Sequence, residues 1–189
     1  WLFICSRSGY KMAHDKIEKS FEGTSDVRQY EIFGGVSSTG EIEKMREIVR
    51  ENHLNVVVGV GGGSAIDTAK ATAHYEKLPV VIVPTVVATD APCTGLSVIY
   101  NDDETFNSYL FYPKNPEAVI VDSAIIANAP VRFLVAGMGD ALGTYFEARA
   151  CERTDAPSLE SGGITQSAMA LCRLCYDTLK EYGASAKKA

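Results

Sequence analysis

Val56-Val-Val-Gly-Val-Gly-Gly-Gly-Ser-Ala-Ile-Asp-Thr-Ala-Lys70 joins an apolar run, three glycines and a helix-compatible segment. Val56 to Val60 are β-branched or small, the pattern of a strand buried on both faces in a parallel sheet. Gly61, Gly62 and Gly63 let the backbone turn sharply and approach a ligand, because no Cβ intervenes. Ser64 is placed to cap a helix running to Tyr75, whose N–H groups and dipole face whatever lies over the loop. Strand, loop and helix N-terminus together form an anion site, most often for phosphate. A tight strand–helix turn with no ligand fits the glycines equally well, since a glycine cluster alone is a weak motif.

Outward from this stretch, strands and helices alternate. Leu2–Cys5 reads as a first strand, Ser6–Gly9 as a loop, and Tyr10–Ser20 as a helix with Met12, Ile17 and Phe21 as apolar contacts. Val27–Phe33 reads as a second strand, and Ser38-x-x-Glu41 as a capping box opening a helix over Glu41–Asn52. Pro79–Pro84 is a strand fenced by prolines, and Thr85–Gly95 a polar loop. Leu96–Tyr100 and Phe106–Phe111 bracket a strong turn signal and form a hairpin. Ala118–Val121 is a further strand, after which Asp122 or Ser123 caps a short helix. Beyond Pro130 the pattern is helical only: Val131–Cys151, interrupted at Gly137 and Gly139, then Ile164–Tyr182. Ala184–Ala189 reads as a frayed end. The expected fold is α/β, a Rossmann-like parallel sheet with helices on both faces, followed by the first helices of an all-α domain. The expected domains are residues 1–130, dinucleotide-binding, and 131–189, the incomplete start of a helical metal-binding domain.

With 189 residues, 46% hydrophobic and 22% charged, the chain is able to bury a sizeable core. A net charge of −6 disfavours nucleic acid and anionic membrane as partners. No apolar run approaches the ~20 residues that span a bilayer. Five cysteines at irregular spacing do not make a disulfide framework, and a reducing cytoplasm is the simplest compartment. The opening Trp1-Leu-Phe-Ile-Cys5 has no secretory leader pattern, and a start without Met, inside an apolar run, reads as a piece of a longer protein.

Three loops at strand C-terminal ends are where an open α/β sheet binds ligands: Ser6–Gly9, the glycine loop with Asp67 and Lys70 behind it, and Thr85–Gly95. From spacing alone, Asp67 and Lys70 are a solvated helix pair. Asp90, before Ala91-Pro92, either builds a turn or offers a carboxylate to a substrate hydroxyl or ring amide. Asp140 lies among small residues, so it serves helix packing or ligates a metal. His14, His53 and His74 read as surface residues, and Cys172-x-x-Cys175 as buried helix thiols.

Three segments together resemble glycerol dehydrogenases, within the metal-dependent group III, iron-type alcohol dehydrogenase superfamily. They are Gly59–Lys70, Pro84–Tyr100 (Pro84-Thr-x-x-x-Thr-Asp-Ala-Pro-Cys-x-x-Leu-Ser-Val-Ile-Tyr) and Ala136–Leu142. The resemblance covers Trp1 to about Gly183, as a chain truncated at both ends. It implies an α/β cofactor domain, an all-helical domain, and a site between them. It also implies oxidation of glycerol or a related polyol to the ketone, glycerol to dihydroxyacetone, by metal-assisted hydride transfer to NAD. On this reading Gly62 and Gly63 approach the pyrophosphate, with Ser64 and Asp67 beside them and Ser6 at the adenine ribose. Thr85, Ala88, Thr94, Leu96 and Tyr100 line the nicotinamide side. Asp90 contacts the polyol, and Asp140 ligates the catalytic zinc. Zn²⁺ as Lewis acid lowers the pKa of a bound hydroxyl, and the alkoxide delivers hydride to the nicotinamide. A homo-oligomer is implied for the full-length protein.

Three departures qualify the resemblance. The two histidines that complete the family's zinc site have no match here, so the chain alone is expected to be inactive. Ser6-Arg7 stands where the family offers an acidic residue to the ribose, which opens NADP. Ser64 replaces a lysine common in glycerol dehydrogenases, which loosens the substrate and leaves Fe²⁺ open beside zinc. The competing readings are a noncatalytic nucleotide-binding module and a dehydroquinate-synthase-like lyase. The lyase needs a basic residue in Thr85–Gly95, which has none.

Overall fold

The computed structural model describes residues 1–157, 159 and 162–188. The chain divides into two compact units: Trp1–Val86 with Ala91–Ala129, and Val87–Asp90 with the chain from Pro130 onward.

In the first unit a parallel sheet is built from β1 (Leu2–Cys5), β2 (Gln29–Ile32), β3 (Val57–Gly61), β4 (Val80–Pro84) and β7 (Ala118–Val119). Its strand order is β2-β1-β3-β4-β7, and every pair is parallel. Parallel neighbours need crossovers, here α1 (Arg7–Ser20), α2 (Thr39–Glu51) and α3 (Gly63–Glu76), with the short α4 (Ser123–Ala127) after β7. Period-two alternation along the strands divides the core. Leu2, Ile4, Val57 and Ile82 pack with Met45 and Val49 of α2 and Ile66, Ala69 and Ala73 of α3. Phe3, Cys5, Val58, Val60 and Val83 pack on the other face with Ala13 of α1 and Ile125 of α4. Burial pushes the Cys5 thiol up to about 12. The hairpin β5 (Leu96–Tyr100) with β6 (Phe106–Phe111) is a separate antiparallel sheet, and its Ile99 and Leu110 cover Ile42 and Ala71.

Several local readings change. Ser6–Gly9 is not a loop. Ser6 caps α1, its hydroxyl accepting from the Gly9 amide at 3.0 Å. Only half of the capping box forms: Ser38 Oγ accepts from the Glu41 amide, but Glu41 accepts from Gly34 instead of Ser38. Ser38 and the Gly40 amide both donate to Asp102, so the hairpin turn closes the N-terminus of α2. The last strand stops at Val119, two residues short of expectation.

In the second unit α5 (Val131–Thr154) and α6 (Gln166–Ala186) pack side by side. Helix α5 runs through Gly137 and Gly139 without a break, because glycine costs a helix only about 1 kcal/mol and longer flanking turns outweigh it. Helix α6 extends to Ala186, past the expected end, and Ala189 lies outside the described residues. No residue of α5 or α6 is buried.

Candidate functional site

Three chain segments leave the same end of the parallel sheet side by side. The Ser6 amide donates to Val60 O at 2.9 Å and the Thr85 amide to Gly61 O at 3.0 Å. The ladder therefore continues one residue past β1 and β4, bringing Ser6 level with Gly61 and Thr85 level with Gly62. The strand order reverses direction between β1 and β3, since α1 leads outward to β2 while α3 leads the other way to β4. Open α/β sheets bind ligands outside the strand ends at such a switch point.

The glycines have separate reasons. A Cβ on Gly59 would come 2.8 Å from Ala69 Cβ, so this glycine seats α3 on the sheet. Gly61 has φ +157, and its Cβ would meet Ser6 Oγ at 2.9 Å and Ala65 Cβ at 3.1 Å. Gly62 is the N-cap of α3 and provides no side chain to cap it. Ser64, expected there, is instead exposed in the first turn. The extended Gly62, at φ −95 and ψ −174, starts the helix two residues earlier than a cap at Ser64 would. The first amides of α3 are thus left without a side-chain acceptor, beside Ser6 and Thr85.

Behind this end of the sheet, Asp67 and Lys70 are buried, not solvated: their side chains are 12% and 1% exposed and lie 3.1 Å apart. Lys70 Nζ donates to Ala91 O at 2.9 Å and to Leu96 O, with Thr94 O and Oγ1 both at 3.4 Å. Asp67 Oδ2 accepts from the Val98 amide at 3.2 Å, so this carboxylate faces β5. Burial raises its pKa, and Lys70 opposes that rise. Thr94 and Leu96 are thereby fixed relative to α3. Tyr100 is tied at the far end of β5, its amide donating to Ser37 O at 3.0 Å.

Asp90 and Asp140 meet in the second unit, where the Asp90 amide donates to Asp140 Oδ2 at 3.1 Å. Gly137, one turn before Asp140, makes room for this. A Cβ there would fall 1.9 Å from Val87 O, so the backbone of Val87–Ala88 lies directly on α5. The sequence shows Asp90 and Asp140 as two separate weak signals. Gly137, expected to break a helix, was the available sign of a close approach.

The histidines do not converge. His14 is half-buried against Tyr10 and Tyr30, His53 sits in a turn with φ 51, and His74 stacks near Tyr112. Cys172 and Cys175 are half-buried on α6, less enclosed than expected, on a helix packed against α5. Among the described residues no three His, Cys, Asp or Glu side chains gather to hold a metal ion. A cavity of about 620 Å³ opens at the other end of β4, among His74, Leu78, Pro79, Tyr112 and Pro116, away from the three segments.

Residues 1–123 match the family described as iron-containing alcohol dehydrogenase. Over all 189 residues the chain is 47% identical to a glycerol dehydrogenase of Escherichia coli O6:H1, covering 52% of that protein. Over 173 residues, 91% of the chain, it is 53% identical to a glycerol dehydrogenase of Thermotoga maritima, covering 47% of it. The chain spans about half the length of these curated relatives. Among solved structures, a glycerol dehydrogenase from Schizosaccharomyces pombe superposes with a TM-score of 0.90 at 36% identity, over 98% of this chain and 47% of that one. A probable glycerol dehydrogenase from Sinorhizobium meliloti gives 0.88 at 39% identity, over 100% and 51%.

Proposed function

The chain belongs to the iron-containing alcohol dehydrogenase family, and on that premise we propose that it supplies the cofactor-binding half of an NAD(P)-dependent dehydrogenase for glycerol or a related small polyol. The observation that carries this reading is the alignment of Ser6, Gly61–Gly62 and Thr85 at the switch point between β1 and β3. The dinucleotide fits that place on this chain's own geometry: an uncapped helix start, and glycines where a Cβ would crowd Ser6, Ala65 or Val86. Gly62 and Gly63 amides hold the pyrophosphate, with Ser64 exposed beside them. Ser6 serves the adenine ribose. Thr85, Thr94, Leu96 and Tyr100 serve the nicotinamide side. A dinucleotide held by these residues would supply the hydride acceptor for oxidation of an alcohol carbon.

Asp90 holds a polyol hydroxyl, and Asp140 is the chain's contribution to a zinc or iron site. A catalytic metal takes about three protein ligands, and the described residues gather no such set. A catalytic metal therefore does not fit the described residues of this chain alone. The same observation favours nucleotide binding without turnover for the isolated chain: robust dehydrogenase activity with excess zinc would overturn that. No helix among the described residues is long and apolar enough to cross a membrane, and we place the protein in the cytoplasm as a homo-oligomer when complete.

Fluorescence titration with NADH and NADPH tests the cofactor reading. Saturable binding is expected, weakened at least about tenfold by Gly62→Val, whose Cβ would sit 3.2 Å from Val86 Cγ2 and fill the cradle. Binding of neither nucleotide, or binding unchanged in the variant, breaks the reading. Exposed Arg7, beside Ser6, accepts a 2′-phosphate. NADPH should bind at least as well as NADH and lose affinity on Arg7→Asp. Tighter NADH binding with no such loss counts against that preference.

A further inference from the structure

A buried lysine must find acceptors for its three N–H groups, and a buried ion pair must be satisfied on all sides. Lys70 meets this requirement in an unusual direction. It is 2% exposed, and beyond Asp67 its acceptors are the backbone carbonyls of Ala91 and Leu96, with Thr94 O and Oγ1 slightly further. All of these lie on one stretch, from the loop at Ala91 to the first residue of β5, 21 to 26 residues away along the chain. Asp67, one helical turn earlier, grips the next strand through the Val98 amide, and the Ser97 hydroxyl donates to Asp67 O at 3.3 Å. One turn of α3 therefore holds both the loop and the start of β5.

That helix begins at the Gly62 cap, and the loop it holds carries Thr94 and Leu96. We propose that the Asp67–Lys70 pair is a positioning device: it latches the Ala91–Leu96 loop onto α3 and so sets the spacing between the pyrophosphate cradle and the nicotinamide side of the cofactor. Lys70 does this without touching the cofactor. Asp67, expected among the cofactor contacts, acts in the same way, because Oδ2 is turned to Val98 and Oδ1 to Lys70. The ammonium suits this task because its donors rotate to meet several carbonyls at once, whereas a planar guanidinium fixes their directions. The role given to the loop rests on the dinucleotide reading above.

The test compares ADP-ribose, which lacks the nicotinamide, with NADH on Lys70→Met. ADP-ribose affinity should stay within about threefold, while the NADH dissociation constant rises at least about tenfold. Equal loss of both ligands, or no loss of either, overturns the proposal. Lys70→Gln, which keeps a donor, should recover part of the NADH affinity. If Lys70→Met fails to fold, Asp67→Asn with Lys70→Met removes both charges and carries the same expectation. A parent chain that binds neither ligand breaks the cofactor reading and not the latch. Hydrogen exchange then decides, because the latch requires the 91–98 amides to exchange at least about tenfold faster in the variant while β1 stays protected. Unchanged protection of 91–98 overturns it.

Discussion

Helices α3 and α5 are both rich in small residues and have nearly the same average hydrophobicity, yet their surroundings are opposite. In α3 nine consecutive residues, Ala65 to Ala73, are buried. In α5, with 24 residues, none is. Helix α3 has the sheet on one side and α2 and β5 on others, so even its Asp67, Thr68, Lys70 and Thr72 are enclosed. Helix α5 has α6 and the short Val87–Asp90 segment in its unit, and Val131, Val135, Leu142 and Phe146 remain exposed. Composition of a helix therefore does not set its burial; the neighbours that other segments bring to it do.

This contrast is breakable. Ile66→Ala in α3 should cost about 2–5 kcal/mol, through lost burial and the cavity left behind. Leu174→Ala in α6, where the side chain is 62% exposed, should change stability by less than about 0.5 kcal/mol. Urea denaturation of both variants measures the gap, and similar losses would show that the helical unit has a core after all. Gly137→Ala should be the next largest effect. The gain of about 1 kcal/mol in helix propensity is outweighed by overpacking of about 1–3 kcal/mol, because the new Cβ would meet Val87 O at 1.9 Å. Gly139, with nothing within 4 Å of its Cβ position, is the control, and Gly139→Ala should be neutral or stabilising. Comparable Tm values for the two variants would refute the close approach.

The smallest effect concerns pH. Glu76, at the end of α3, takes hydrogen bonds from Arg50 and Arg46 of α2, and these lower its pKa below the ordinary carboxylate value. A depressed folded pKa adds stability above the unfolded value, and that stability is lost as pH falls through the folded one. Acid titration should therefore destabilise the parent chain more steeply than Glu76→Gln below about pH 4.5. Parallel curves would remove the α2–α3 bridge from the account of how α3 is enclosed.

Much of the first unit was legible in the order of residues. Four-residue apolar runs such as Leu2–Cys5 are too short for helices, and the polar Asn101–Thr105 turn marks the hairpin without ambiguity. Asp67 and Lys70 look solvated from spacing but are buried, because i,i+3 spacing reports only that two side chains share a helix face. Which face meets β5 is set by a hairpin some thirty residues downstream.

Alternation of apolar runs with helical periodicity and glycine punctuation determined the sheet class, the crossover helices and the strand ends, because those are local consequences of backbone sterics and side-chain period. Only the tertiary structure decided that Lys70 reaches Ala91 and Leu96, that Asp90 meets Asp140, and that Gly137 admits Val87. Each of those contacts joins segments at least 21 residues apart. The cost of burying a charge or adding a methyl group depends on what the distant segment places opposite, which local pattern does not encode.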